Sequence, residues 1–182
     1  TAPVVTDIAT PNTTRQFANV ISLADGDVLM IGGSTFAGGW DDDGSVLVPE
    51  IWDPDTNTWS EMNPMSVPRN YHSIALLLPD ARVLSAGGGL CGCDADHEDA
   101  QVFTPPYLFD ADGSLATRPS ITSAPSSTDA GSTIQVSGSD DIVRFTMVRM
   151  SATTHSVNTD HRFLEIAHTK TGTGAYDLTF HS

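Results

Sequence analysis

Two stretches of the chain share one order of apolar and polar positions. "RQFANVISLADGDVLMIGG" begins at Arg15, and "RNYHSIALLLPDARVLSAGG" begins at Arg69. Each runs from an arginine through an aromatic residue, an apolar segment, a turn containing aspartate and a second apolar segment to a Gly-Gly pair. Short apolar runs bounded by turn formers are typical of strands rather than helices. Each stretch is therefore predicted to form two antiparallel strands.

A second matching pair of segments follows the two stretches. "PEIWDPDTNTW" begins at Pro49 and "EDAQVFTPPYLF" at Glu98, and each is an extended segment that ends in a proline turn. The spacing of the copies is about 50 residues, and together with the Gly-Gly pairs and "WDPDTNTW" it resembles the kelch repeat, whose blades build a β-propeller. Since a propeller closes with four to eight blades, the two predicted here are expected to be the last blades of a larger propeller.

The composition of the chain changes after Tyr107. The stretch "DADGSLATRPSITSAPSSTDAGS" is rich in turn formers and indicates a linker. Short strands of β-sandwich type follow it, in "TIQVSG", "DIVRFTMVRM", "FLEIAHT" and "AYDLTFH", and they are fewer than the roughly seven of an immunoglobulin-like domain. The predicted fold is all-β, with propeller blades over residues 1–115 and an immunoglobulin-like domain, truncated at its C-terminus, over 116–182.

Charge and hydropathy exclude two classes of partner. The chain has 23 acidic and 8 basic residues, a formal net charge of −15, so it would repel a nucleic-acid backbone. No apolar run approaches the roughly 18 residues of a membrane span. The acidic runs "DDDG" and "DADG" lack the later glutamate of an EF-hand calcium loop and are interpreted as turns. Neither nucleic acid nor a membrane is an expected partner.

Cys91 and Cys93 are the two cysteines of the chain and are separated by Gly92. A local disulfide is the favoured interpretation, and it would imply an oxidising compartment. A metal site formed with His97 and a pair of free thiols are the alternatives. The sequence pattern leaves all three open.

Tyr71 and His72 stand side by side before an apolar segment, although neighbouring residues of a strand point to opposite faces. A lone histidine in such a place is more often a packing residue than a ligand. The second copy, however, has one residue more than the first between its arginine and its turn. An extra residue in a strand indicates a β-bulge, which re-aims side chains, so both rings are predicted to face one centre. Phe17 and Ala18 fill the same places in the first copy.

Five segments together resemble one family. In order, "RNYHSIALLLPDARV", "AGGGLCG", "DAQVFTPPYLF", "LATRP" and "THSVNTDHR" are similar to the C-terminal part of galactose oxidase and its copper radical oxidase relatives, including glyoxal oxidases. The resemblance implies a secreted enzyme with a kelch propeller, an immunoglobulin-like domain and one copper ion on the propeller axis.

The resemblance also implies roles for single residues. Tyr71 corresponds to the axial copper ligand and general base, and His72 and His155 correspond to equatorial ligands; such nitrogen and oxygen donors suit copper(II). Trp40 corresponds to an aromatic residue that lines the substrate pocket, where it could stack on a sugar, or it is an ordinary exposed loop residue. Cys91 and Cys93 fall on the family's disulfide segment, although their spacing is one residue shorter.

The family's radical cofactor, a tyrosine cross-linked to a cysteine, has no counterpart in this sequence and is expected in the missing N-terminal propeller blades. The resemblance thus implies the C-terminal part of an oxidase that converts a primary alcohol, sugar or aldehyde with O2 and releases H2O2, and that is inactive as this chain alone. Two alternatives stay open. One is a non-catalytic kelch and immunoglobulin-like module that binds glycan or protein, and the other is a metal site without radical chemistry.

Overall fold

The computed structural model describes residues 4–36, 41–89, 92, 95–150, 153, 155 and 157–181. It forms two compact units, one of Thr1–Pro105 with Arg149–His161 and one of Pro106–Val148 with Arg162–Ser182. The described residues contain β-strands and one short 3-10 turn, Pro106–Leu108, and no α-helix, which confirms the predicted all-β fold. The predicted domain boundary between residues 115 and 116 stays a prediction.

The first sheet of the first unit is one four-stranded blade. It contains β1 (Asn19–Ser22), β2 (Val28–Ile31), β3 (Glu50–Asp53) and β4 (Thr58–Glu61), in the order β1-β2-β3-β4. All neighbours are antiparallel, and Asn19 pairs with Ile31 at the Gly-Gly end. An up-and-down sheet of four strands is the blade of a β-propeller, as the repeat predicts.

The second sheet of this unit has the order β5-β6-β7, with β5 (Ile74–Leu77), β6 (Val83–Ala86) and β7 (Ala100–Phe103). Its described part has no counterpart of β4. In the first blade, Asp53 accepts hydrogen bonds from the backbone of Asp55 and Thr56 and turns the chain back into β4. In the second, Pro105 and Pro106 follow β7, and prolines lack the N–H that a strand ladder needs.

The two blades of the first unit pack through their first strands, β1 and β5. The buried Asn19 amide donates to Ser73 Oγ at 2.9 Å, and the Gly33 N–H donates to the Arg69 carbonyl at 2.8 Å. Gly32 has φ +72°, and a Cβ there would lie 2.3 Å from the Arg69 carbonyl oxygen. The first Gly-Gly pair therefore lets the backbones of the two blades approach each other.

A buried ion pair supports the first blade. The Arg15 guanidinium contacts the Glu50 carboxylate, and both side chains are almost fully buried. Glu50 also accepts the backbone N–H groups of Asn12 at 2.6 Å and Thr13 at 3.1 Å. Burial lowers the pKa of Arg15, and the neighbouring Glu50 charge opposes this effect. Glu50 thus ties the segment before β1 to the start of β3.

The second unit is a five-stranded antiparallel sheet. It contains β8 (Ile121–Ser123), β9 (Thr133–Gly138), β10 (Phe145–Val148), β11 (Phe163–Gly172) and β12 (Ala175–Thr179), in the order β10-β11-β12-β9-β8. Its core consists of Val136, Phe145, Ile166, Tyr176 and Leu178. Four of these strands, β9 to β12, lie in the segments predicted as sandwich strands, whereas β8 lies in the stretch that was predicted to be a linker. Among the described residues, no helix has the length and apolar character to cross a membrane.

Candidate metal centre

Tyr71 and His72 lie in a tight turn that precedes β5. The Ser73 N–H donates to the Asn70 carbonyl at 3.0 Å, so Tyr71 and His72 are the two central residues of this turn. His72 has φ +65°, the left-handed conformation that a type II turn requires at its third position. Their rings lie on the same side, with centroids 4.0 Å apart and an angle of 32° between their planes. A turn, and not a strand, brings the neighbouring rings together.

The extra residue of the second copy lies in this turn. The pairing of β5 with β6 runs without a register shift from Ile74 to Leu77. The predicted β-bulge in the strand was therefore wrong, because the insertion is already absorbed before the strand begins.

Backbone hydrogen bonds show that the sequence alignment of Phe17 with Tyr71 and of Ala18 with His72 was shifted by one residue. Gln16 O accepts from Ser34 N at 2.9 Å, and Tyr71 O accepts from Gly89 N at 2.8 Å, where Ser34 and Gly89 each follow a Gly-Gly pair. Tyr71 therefore corresponds to Gln16. The next residue in the first copy, Phe17, has φ +62°, close to that of its counterpart His72.

The Gly89 carbonyl fixes the orientation of the His72 ring. His72 Nδ1 lies 2.9 Å from this oxygen. A carbonyl can only accept, so Nδ1 carries the proton and the lone pair of Nε2 is available to a metal. Gly89 has φ +97°, and a Cβ there would lie 2.6 Å from Asp96 Cα and 2.7 Å from Ala95 O. Only glycine fits at position 89, where the backbone carbonyl orients the His72 ring.

His155 belongs to residues 149–161. In the sequence these residues come between β10 and β11, which are strands of the second unit, but in the structure they belong to the first unit. His155 Nε2 is 3.2 Å from His72 Nε2. The ring centroids of the two histidines are 4.8 Å apart and nearly perpendicular, and the Tyr71 ring lies 5.6 Å from that of His155. The three residues predicted as metal ligands therefore meet at one place.

The two imidazoles fit a shared metal ion. Metal–imidazole bonds are about 2.0 Å long, so two nitrogens at neighbouring positions of one ion lie about 2.8–3.3 Å apart, and the observed 3.2 Å falls in this range. Within the described part of the chain, no group of three His, Cys, Asp or Glu side chains is placed to hold a metal. The donor set is thus two imidazoles beside a tyrosine, which suits copper(II).

Three predicted residues fall outside the described part of the chain. These are Trp40, the predicted substrate-lining aromatic, and Cys91 and Cys93, the predicted disulfide. Both the substrate contact and the disulfide stay predictions.

The turn over residues 41–45, which follows Trp40 in the chain, is held to the second blade by two residues that the sequence did not single out as supports. The amide of Asn70 donates to Asp41 O at 3.0 Å and to Ser45 Oγ at 2.8 Å. His97 Nε2 lies 3.1 Å from both carboxylate oxygens of Asp42. The acidic run "DDDG" is a turn, as predicted. The sequence gives no sign of which residues form hydrogen bonds with it.

A pocket of about 320 Å³ opens beside His72. Its described lining consists of His72, Gly88, Gly89, Asp96, His97 and Glu98. The pocket therefore places acidic and imidazole side chains next to the predicted ligand.

Comparisons with known proteins identify the family to which this chain is similar. Residues 7–94 match the family model "Glyoxal oxidase N-terminus", and residues 118–182 match "Galactose oxidase-like, Early set domain". A galactose oxidase of Gibberella zeae is 42% identical over 166 residues, which are 90% of this chain and 24% of that protein. The aldehyde oxidase GLOX1 of Arabidopsis thaliana is 29% identical over 84% of this chain and 28% of its own length.

A solved structure gives the same result. A fungal alcohol oxidase of the AA5 family, in complex with copper, superposes with a TM-score of 0.89 at 39% sequence identity, over 96% of this chain and 37% of that one. The chain thus spans about a quarter of the length of the curated relatives it matches. From both halves of its sequence and from its fold, the chain belongs to the galactose oxidase and glyoxal oxidase-like family.

Proposed function

We propose that this chain is the C-terminal part of a secreted copper radical oxidase, and that Tyr71, His72 and His155 hold its copper ion. The observation that carries the proposal is the 3.2 Å separation of the two histidine Nε2 atoms beside the Tyr71 ring. The copper complex of the structurally similar alcohol oxidase supports the choice of metal. The proposed reaction is RCH2OH + O2 → RCHO + H2O2, or RCHO + H2O + O2 → RCOOH + H2O2 for an aldehyde.

Each of the three residues has a separate task in this proposal. The hydrogen bond from His72 Nδ1 to Gly89 O keeps the lone pair of His72 Nε2 available for the metal, and His155 supplies the second imidazole nitrogen. The side-chain oxygen of Tyr71 is proposed to accept the proton of the substrate hydroxyl, as a general base. Bound copper supplies, with a radical formed outside this chain, the one-electron chemistry of the oxidation.

The radical cofactor is proposed to lie in N-terminal propeller blades of the same polypeptide. Of the three tyrosines here, Tyr176 is buried in the core of the second unit, where its hydroxyl donates to Ser139 O at 2.8 Å. Tyr107 lies in the 3-10 turn, and Tyr71 is the proposed base. In the family the cross-linked pair lies upstream of this part of the chain, and both cysteines here fall on the family's disulfide segment, so the chain alone is expected to be inactive.

The proposed substrates are primary alcohols, sugars and aldehydes. Trp40 is proposed to stack on the substrate. It precedes the 41–45 turn in the chain, and Asn70 and His97 hold that turn to the second blade. Secretion is proposed from the family and from a Cys91–Cys93 disulfide, which an oxidising compartment would maintain.

Peroxide release by the full-length protein tests the proposal. We expect copper-dependent release of H2O2 with a simple primary alcohol or aldehyde, lost on removal of copper by a chelator. His155→Ala should abolish it, and His181→Ala, which removes an exposed imidazole of the second unit, should not. Unchanged peroxide output from His155→Ala would contradict the ligand assignment. Absence of any oxidase activity in the copper-loaded protein would favour a binding module instead.

A further inference from the structure

Residues 149–161 are anchored to the second blade through Thr153. Its Oγ1 donates to the Ala75 carbonyl of β5 at 3.1 Å, and the Asn158 amide donates to the same Oγ1 at 3.2 Å. Ala75 is fully buried and lies three residues after His72 in the chain. Thr153 therefore joins the segment that carries His155 to the strand that follows the His72 turn.

His161 anchors the other end of the segment to the first blade. Its Nδ1 lies 3.3 Å from Ser22 N and 3.2 Å from Ser22 Oγ, at the last residue of β1. A backbone N–H only donates, so Nδ1 must offer its lone pair and the ring is neutral, with its proton on Nε2. That Nε2 is shielded from solvent and has no hydrogen-bond partner among the described residues. Among the described residues, Ser22 is thus the hydrogen-bond partner of this ring.

The two anchors lie on either side of His155 and reach the neighbouring strands β5 and β1. These strands pack against each other, and Asn19 of β1 donates a hydrogen bond to Ser73, the last residue of the His72 turn. A third contact, from Arg149 to Asp160 at 3.5 Å, joins the two ends of the segment. The position of His155 is therefore defined relative to the elements that place His72.

The backbone of His155 needs such support. It has φ +53°, a left-handed conformation that a non-glycine residue holds only when its surroundings impose it. Side-chain contacts made by His155 itself do not fix the path of the backbone two residues before it and six residues after it. The Thr153 and His161 anchors do.

We infer that His161 and Thr153 are positioning residues that set the separation of the His155 and His72 ring nitrogens, and thereby the affinity of the centre for copper. This inference rests on the proposed function, in which both histidines are ligands. Neither residue is one of the proposed ligands, and each acts through the backbone. Groups that hydrogen-bond a metal ligand directly typically change metal affinity by about 10- to 100-fold, so a change at the lower end of this range is expected here.

Copper(II) binding to the full-length protein tests the inference, with the dissociation constant from a competition titration and the number of bound imidazoles from pulsed EPR. His161→Ala should weaken copper binding by about tenfold, the lower end of the effect of groups that support metal ligands, and should reduce the second imidazole signal. His161→Gln keeps an acceptor for the Ser22 N–H and should restore most of the affinity. Thr153→Val, which keeps the side-chain shape without the hydroxyl, should act like His161→Ala, and Thr153→Ser like the wild type.

His181→Ala is the matched control and should leave both readouts unchanged. Copper affinity and imidazole signals of His161→Ala and Thr153→Val equal to those of the wild type would overturn the inference while leaving the proposed function intact. If His155→Ala itself leaves affinity and spectrum unchanged, the proposed function fails, and the inference with it. Should His161→Ala not fold, the Thr153→Val and Thr153→Ser pair decides the question.

Discussion

The placement of Tyr71 and His72 shows how a single backbone conformation creates a shared site. In a strand, neighbouring side chains point to opposite faces, but the turn Asn70–Ser73 and the φ of +65° at His72 bring both rings to one side. Phe17 has the same conformation in the first blade. The positive φ is thus shared by both copies, and the Tyr-His pair is a property of the second copy.

Gly89 is the residue most sensitive to a small change near the centre. Gly89→Ala would force a Cβ to within 2.6 Å of Asp96 Cα at a φ of +97°, with a strain of about 1–3 kcal/mol. The resulting shift of the Gly89 carbonyl should release His72 Nδ1. We expect the dissociation constant for copper(II) to rise about tenfold or more, measured by competition titration.

Gly113→Ala is the control for Gly89→Ala. Gly113 has φ +83° but no atom within 4 Å of an added Cβ, and it lies in the second unit. The Gly113→Ala substitution should introduce backbone strain but leave the copper affinity unchanged. Equal loss of affinity in the two variants would show that the Gly89 carbonyl has no special role.

His161 should make the stability of the protein depend on pH. Burial lowers its pKa below the ordinary value of 6.5, so the unfolded chain binds a proton at a higher pH than the folded one. The stabilisation is present above about pH 6.5 and is lost as the pH falls through the lower folded pKa. The free energy of unfolding, measured with urea, should decrease less between pH 7.5 and pH 5 for His161→Gln than for the wild type. Identical decreases would contradict this role.

At the scale of elements, the strands follow the apolar pattern and the connections do not. The paired apolar runs predicted β1 with β2 and β5 with β6, which the register confirms. The insertion in the second copy, however, lies in a turn and not in the strand. The sequence could not predict this, because a pattern of residue types does not show backbone hydrogen bonds or φ values. The support of the 41–45 turn by Asn70 and His97 was missed for a similar reason, because it joins residues far apart in the chain.

The first blade should depend on its buried ion pair. Glu50→Gln removes the carboxylate charge that contacts the buried Arg15 guanidinium, and loss of one partner of a buried ion pair typically costs about 3–5 kcal/mol. We expect this loss in the free energy of unfolding measured with urea. Asp80→Asn removes one partner of the exposed Arg82 pair and should change the stability by less than about 1 kcal/mol. Similar losses in both variants would contradict the importance of burial.

At the scale of the whole molecule, the three proposed ligands belong to one of the two units. The first unit contains all three proposed ligands, because residues 149–161 lie in it. The sequence located these ligands through the family's motifs, and not through spacing, since His72 and His155 are each unremarkable histidines by pattern alone. Trp40 and the cysteine pair remain predictions of the sequence.

The division of the oxidase between this chain and the proposed upstream blades makes a prediction of its own. This chain, produced alone and loaded with copper(II), should release no H2O2 from a primary alcohol, because the radical cofactor is proposed to lie in the upstream blades. The full-length protein should release it under the same conditions. Peroxide release by the chain alone, at a rate comparable with that of the full-length protein, would contradict this division.

The number of imidazoles on the bound copper tests the central claim most directly. Pulsed EPR of the copper(II)-loaded full-length protein should detect two coordinated histidines, and one in either His72→Ala or His155→Ala. A spectrum in which both variants keep the wild-type number of imidazoles would show that the metal lies elsewhere.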